Sequence, residues 1–144
     1  MKKLLLAALL LVFGTPAHAA DPTGVWRMDT GQFEQAMRAA MQAEMGAELD
    51  AMDDQMKAMM DGMVNQMVAE MAGVIEFFSD GRVIYRSDDG GEQAGQWQDL
   101  GDQIEVTSAA SPEPTYMVID GNTMTSVMTS AADGPPIQMV MHRQ

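Results

Sequence analysis

The chain has 144 residues, no cysteine, 17 methionines and a formal net charge of −13. The lack of cysteine excludes disulfides and every metal or nucleophilic site that would use a thiolate. Because phosphate groups repel a strong polyanion, the charge disfavours nucleic acids and anionic membrane surfaces as partners.

The first 19 residues have the pattern of a secretory signal peptide. Two lysines precede an apolar run over 4–13, and residues 17–19 form a small-x-small cleavage site. The run is too short to span a bilayer, which needs about 20 apolar residues. We therefore predict cleavage after Ala19, a periplasmic or secreted bacterial location, no membrane insertion after cleavage, and one domain over 20–144. Removing the two lysines changes the formal charge from −13 to −15.

A short strand is predicted over 25–28, and a methionine-rich amphipathic helix follows over about 31–72. Its ten methionines recur mostly three or four residues apart, at positions 37, 41, 45, 52, 56, 59, 60, 63, 67 and 71. An unbroken helix of this length would be about 60 Å long and would overhang a sheet of short strands. We therefore expect a break near Gly46, with Gly62 as a second candidate position.

Methionine replaces leucine in most of the chain. After the predicted signal peptide, Leu49 and Leu100 are the only leucines, against sixteen methionines. Because a flexible thioether specifies packing less sharply than leucine does, this composition favours an adaptable apolar surface over a maximally rigid core.

From Gly73 onward the hydrophobic period changes from 3.6 to 2, which indicates strands. Asp80-Gly81 is a strong hairpin signal. We predict seven further strands, over 74–79, 82–86, 95–99, 103–107, 115–120, 122–129 and 137–142, with loops at 87–94, 108–114 and 131–136. The short links make all eight strands antiparallel. The predicted class is α+β and mainly β: a meander of about eight strands forming a barrel or strongly curved sheet, with the helix between strands one and two.

Several short motifs resemble the small bacterial lipocalin-like domains. They are a Gly-x-Trp opening at 24–26, a Phe-x-x-Asp-Gly-x-Val hairpin at 77–83, a second Gly-x-Trp at 95–97 followed by Gly-Asp-x-Ile-x-Val at 101–106, and Arg143 in the last strand. The resemblance implies a structural contact between Trp26 and Arg143, which is physically a cation–π interaction. It also places the long connection near a barrel opening, so that the helix would be a lid or plug.

The sequence offers little for catalysis. Outside the predicted signal peptide, His142 is the one histidine, and no nucleophile elbow, phosphate-binding loop or dinucleotide motif occurs. We therefore predict a protein that is not an enzyme and that uses no cofactor.

The methionine stripe permits three interpretations. It is core packing, a plastic surface for apolar ligands, or a soft-metal site, since thioethers prefer Cu(I) or Ag(I). Met139, Met141 and His142 are an additional donor set for the metal alternative.

We predict a binding module for an apolar small molecule or apolar peptide segment, held between the helix and the sheet. The predicted contacts are Met52, Met56, Met59, Met63 and Met67 from the helix, and Phe77, Tyr85, Trp97 and Tyr116 from the sheet. The alternatives are a periplasmic Cu(I)- or Ag(I)-binding protein, and a structural module that oligomerises through the methionine face.

Overall fold

The computed structural model describes residues 20–128 and 136–144. The predicted signal peptide, over 1–19, lies outside the described residues. So do all but the last residue of the loop predicted over 131–136.

Eight strands and two helices make up the described part of the chain. In chain order they are β1 (Gly24–Met28), α1 (Thr30–Ala51), α2 (Asp54–Met71), β2 (Gly73–Phe77), β3 (Arg82–Ser87), β4 (Glu92–Asp99), β5 (Ile104–Ser108), β6 (Ser111–Asp120), β7 (Thr123–Met128) and β8 (Ile137–Arg143). The predicted class, mainly β with eight antiparallel strands, is confirmed.

The strands form a closed barrel in which each strand pairs with its neighbours in sequence. Closure comes from β1, which pairs with β2 on one side and with β8 on the other; Trp26 lies opposite Ile75 and Arg143. A closed barrel leaves no unpaired strand edge. We call the end where β1 leads into α1 and α2 leads into β2 the helix end, and the opposite end, where Trp26 is buried, the tryptophan end.

Two predicted loops are shorter in the structure because strands extend into them. β4 begins at Glu92 and β6 at Ser111, within the segments predicted as loops over 87–94 and 108–114. β6 contains prolines at 112 and 114, and its pairing with β5 shifts register between Val106 and Ser108. Such a bulge accommodates residues that cannot donate a backbone hydrogen bond.

The helical segment breaks at one expected position and one unexpected position. Gly46 has φ 24° and ψ −101°, so α1 is kinked there as predicted. The two helices separate at Met52 and Asp53, and the Asp53 carboxylate accepts a hydrogen bond from the backbone N–H of Met56 at 2.8 Å. Gly62 lies inside α2, where the helix continues. The second break therefore lies at the aspartate N-cap of α2, and not at a glycine.

The apolar residues of α2 divide into two stripes with different surroundings. The inner stripe (Met60, Val64, Val68 and Met71) is buried or half-buried, with Val64 packed between the helices. The outer stripe (Met56, Met59, Met63 and Met67) is 53, 67, 60 and 41% exposed. One predicted methionine face is thus two adjacent faces, of which the inner one is the more buried. No helix among the described residues has the length and hydropathy needed to cross a membrane.

The tryptophan end of the barrel is filled by its core. Trp26, Phe77, Ile104 and Met124 are at most 1% exposed. The Trp26 indole N–H donates to the carbonyl oxygen of Pro22 at 2.7 Å, which satisfies the one polar atom of the ring. Because large side chains occupy this end, the remaining interior space lies toward the helix end.

Candidate ligand-binding cavity

A cavity of about 450 Å³ lies inside the barrel at the helix end. Side chains from α2 and from seven strands line it. Among them are Met28, Glu70, Met71, Ile75, Val83, Tyr85, Gln93, Val106, Ser108, Thr115, Met117, Met139 and Met141. Inward side chains alternate with outward ones along each strand, so residues far apart in sequence meet in this one space.

The cavity lining has an apolar side and a more polar side. The apolar side consists of thioethers from β1, β8 and the end of α2, namely Met28, Met139, Met141 and Met71. Gln93, Ser108 and Thr115 supply an amide and two hydroxyls from β4, β5 and β6. Apolar walls with a few hydrogen-bonding groups are typical of sites for small organic molecules.

Helix packing closes one flank of this space. Phe33 and Met37 in the first turns of α1 are 3% and 6% exposed, and they form a buried cluster with Met139 of β8. Met28 and Met71 pack against the same cluster while also lining the cavity. The position of α1 therefore determines the shape of the apolar wall.

Tyr85 joins the cavity wall to the end of α2. Its hydroxyl lies 3.1 Å from the carbonyl oxygen of Met71, one of the last carbonyls of the helix, which lack partners within the helix. Burial raises the pKa of Tyr85, and the nearby carboxylates of Asp88 and Asp89 raise it further. Tyr85 thus remains a protonated donor that holds the helix end against the barrel.

One polar atom in the barrel interior lacks a partner. The Ser126 side chain is 1% exposed, and its hydroxyl has no hydrogen-bond partner among the described residues. Ser126 lies opposite Met117 and Met139, both of which line the cavity. Directly paired residues point to the same side of a sheet, so this hydroxyl faces the interior.

The structure places the nine predicted binding residues in five different regions. Only Tyr85 lines the cavity. Phe77 and Trp97 meet edge to face at the tryptophan end, with ring centroids 6.2 Å apart, and Tyr116 is 44% exposed on the outside of β6. Met52 is half-buried where α1 ends, and the remaining four, Met56, Met59, Met63 and Met67, are the outer stripe of α2. The predicted pairing of these methionines with the sheet aromatics is not formed.

The three residues of the alternative metal site do not converge. Met139 and Met141 are buried on the interior side of β8, whereas His142 points outward and its Nε2 lies 3.1 Å from the Asp29 carboxylate. Strand alternation separates them. The described residues also hold no cluster of three or more histidine, aspartate or glutamate side chains that could bind a metal ion.

The cavity residues missed by the sequence prediction had a detectable signal. Met139 and Met141 share one face of the predicted last strand, and period 2 places Met117 and Thr115 on a common face of β6. The prediction instead selected the aromatic residues of the sheet. Which alternating face is interior becomes evident only once the barrel closes.

The contact implied by the lipocalin-like resemblance is present at the tryptophan end. The guanidinium carbon of Arg143 lies 4.4 Å from the centroid of the Trp26 ring. Such a contact occurs in unrelated folds and does not itself identify a family. Comparisons of the chain with family models, with curated proteins and with solved structures found no match.

Proposed function

We propose that this chain is a lipocalin-like, non-enzymatic exported protein that binds a small, mainly apolar molecule in the cavity at the helix end. The observation that carries the proposal is the cavity of about 450 Å³, lined by thioethers on one side and by Gln93, Ser108 and Thr115 on the other. Ligand sites are commonly about 300–1,000 Å³ and combine apolar walls with a few polar groups.

The two helices have a specific part in this proposal. Met71 contributes to the cavity wall, and the Tyr85 hydroxyl holds the last turn of α2 beside it. Phe33 and Met37 of α1 support the same wall through Met139. We propose that the helices act as a cover whose methionines adjust to the ligand, since thioether side chains change conformation at low cost.

Two phenylalanine variants of β5 test the proposal. Ser108 lines the cavity, whereas its neighbour Thr107 is exposed on the outside of the barrel. Ser108→Phe should fill the cavity and weaken binding of Nile red, an uncharged apolar dye, at least about tenfold. Thr107→Phe should bind the dye as the unaltered protein does. Equal dye binding by both variants, or no dye binding by the unaltered protein, would exclude the cavity as the site.

A second candidate function, the binding of a soft metal ion, is supported by the exposure of the outer stripe. Met56, Met59, Met63 and Met67 are spaced by three or four residues, so their side chains are neighbours on the helix surface. Exposed thioethers are available to soft ions such as Cu(I) or Ag(I), whereas buried thioethers are not. We therefore propose this stripe, rather than Met139, Met141 and His142, as the donor set for the metal alternative.

Leucine substitution separates the metal function from an apolar one. Replacing the four outer-stripe methionines by leucine keeps the helix propensity and apolar character but removes the four thioether donors of the stripe. Titration with Ag(I) should then lose its saturable phase, and Nile red binding in the cavity should persist. An unchanged Ag(I) titration would refute the metal alternative. An oligomer that buries the same stripe would be detected by light scattering of the unaltered protein.

A further inference from the structure

We infer that the cavity selects ligands whose polar end is uncharged, and that it discriminates against fatty-acid-like carboxylates. This inference rests on the proposed function, because it concerns the chemistry of the same cavity. It follows from where the chain places its basic side chains and from which polar groups line the cavity.

Every basic side chain outside the predicted signal peptide belongs to a described residue, and none of these residues lines the cavity. Four of the arginines take part in surface ion pairs: Arg27 with Asp88, Arg38 with Glu34, Arg82 with Asp80, and Arg86 with Glu76. Lys57 lies in the cleft between α1 and α2, and Arg143 covers Trp26 at the tryptophan end. A carboxylate that entered the cavity would therefore meet no lysine or arginine among the residues that line it.

The negative charges of the protein add to this effect. Glu70 lines the cavity near its mouth, and without the two lysines of the predicted signal peptide the chain carries a formal charge of −15. An anionic ligand must lose its hydration and approach this field without a counter-ion, which is costly in an apolar site. The carboxylic acid would instead be bound in its neutral form, so its own pKa would rise on binding.

A cationic head group is also poorly matched to the interior. Glu70 is exposed, and its carboxylate already accepts a hydrogen bond from the Gln66 amide at 2.9 Å. The other polar side chains of the lining, those of the exposed Gln93 and the half-buried Ser108 and Thr115, carry no charge. They can donate hydrogen bonds to, or accept them from, a hydroxyl, carbonyl or amide group of a ligand. The lining thus suits an apolar molecule with one neutral hydrogen-bonding group.

Three ligands with the same ten-carbon chain test the inference. Near neutral pH, 1-decanol should displace Nile red at least about tenfold more effectively than decanoate or decyltrimethylammonium, because charged groups are costly to bury without partners. Lowering the pH toward the pKa of decanoic acid should tighten decanoate binding and leave decanol binding unchanged. Equal or tighter binding of decanoate at neutral pH, or preference for the cation, would overturn the inference.

A pair of lysine variants on β4 shows whether the missing counter-ion is the cause. Gln93 lines the cavity, and Gln96 is exposed beside Gln98 and Thr107 on the outer surface. Gln93→Lys should strengthen decanoate binding about tenfold or more, since it supplies a partner for the carboxylate. Gln96→Lys changes the net charge equally and should leave decanoate binding within about twofold of the unaltered protein.

The outcomes separate this inference from the proposed function. If decanol and decanoate bind equally and both are lost in Ser108→Phe, the cavity is a ligand site without charge selection, and only the inference fails. If neither Nile red nor any of the three ligands binds, both the proposed function and the inference fail. An equal gain in decanoate affinity for Gln93→Lys and Gln96→Lys would attribute discrimination to the net charge and refute the role of the lining.

Discussion

Arg143 should contribute more to stability than any other arginine in the described residues. Its guanidinium lies over the Trp26 ring and also donates hydrogen bonds to the carbonyl oxygens of Thr23 at 2.7 Å and Asp21 at 2.8 Å. The contact with the ring is worth about 0.5–2 kcal/mol, and the half-buried bond to Thr23, as a bond from a charged group, about 1.5–3 kcal/mol. The exposed hydrogen bond to Asp21 adds little, and these contributions are not additive. Arg143→Met should therefore lower the free energy of unfolding by about 2–4 kcal/mol.

Urea denaturation followed by circular dichroism measures this loss as a change in the free energy of unfolding. Arg82→Met is the matched control, because Arg82 also covers a ring, Phe78 at 4.7 Å, but is 60% exposed and pairs with Asp80 on the surface. The control should have nearly the same unfolding curve as the unaltered protein. The reasoning is refuted if the two variants lose equal stability, or if Arg143→Met changes the free energy of unfolding by less than about 0.5 kcal/mol. Either result would mean that the contacts of Arg143 at the tryptophan end do not stabilise the fold.

Three further predictions concern single polar groups. Ser126→Ala should leave the protein equally stable or stabilise it by up to about 1 kcal/mol, because it removes a buried hydroxyl without a partner among the described residues; thermal unfolding measures this. Asp53→Ala should destabilise α2 by about 1 kcal/mol through loss of its N-cap, seen as lower helical content in circular dichroism. A hydrogen bond from the backbone N–H of Gln32, and a weaker contribution from His142, lower the pKa of Asp29 below its ordinary value of 3.8. The ionised carboxylate therefore stabilises the fold above that pH, and this stabilisation is lost as the pH falls. Asp29→Asn should make the free energy of unfolding, measured by urea denaturation, decline less steeply under acid conditions.

The antiparallel meander was predictable because its determinants are local. Asp80-Gly81 specifies a hairpin, and Gly81 adopts φ 89° there, which a glycine takes without strain. Alternation along each strand then requires one buried face, and short links force antiparallel neighbours. The pairing of β1 with β8 is not local, since more than 100 residues separate Trp26 from Arg143. The resemblance implied only a contact between these two side chains, and the prediction left open whether the sheet closes into a barrel.

The candidate site was less predictable because it depends on relative orientation. A helical period identifies which residues share a face, but α2 has apolar residues over a wide arc, and packing against α1 buries only Met60, Val64 and their neighbours. Met59 and Met60 lie about 100° apart around the helix axis, and the packing of α2 against α1 leaves Met59 exposed and Met60 half-buried. Sequence periodicity does not show which part of a wide apolar arc packs against the rest of the fold, because that depends on how α2 is oriented against α1 and the barrel.

The replacement of leucine by methionine has a different physical consequence in each of the two places where methionines collect. Inside the barrel, Met117, Met139 and Met141 form a wall that can repack around an occupant, whereas branched leucine side chains would define one shape. On the outer stripe of α2, methionine maintains helix propensity equal to that of leucine while presenting a sulfur to solvent. A protein selected only for a stable core needs neither property. Both properties fit the proposed functions, in which the interior methionines would contact a ligand in the cavity and the exposed stripe would bind a soft metal ion.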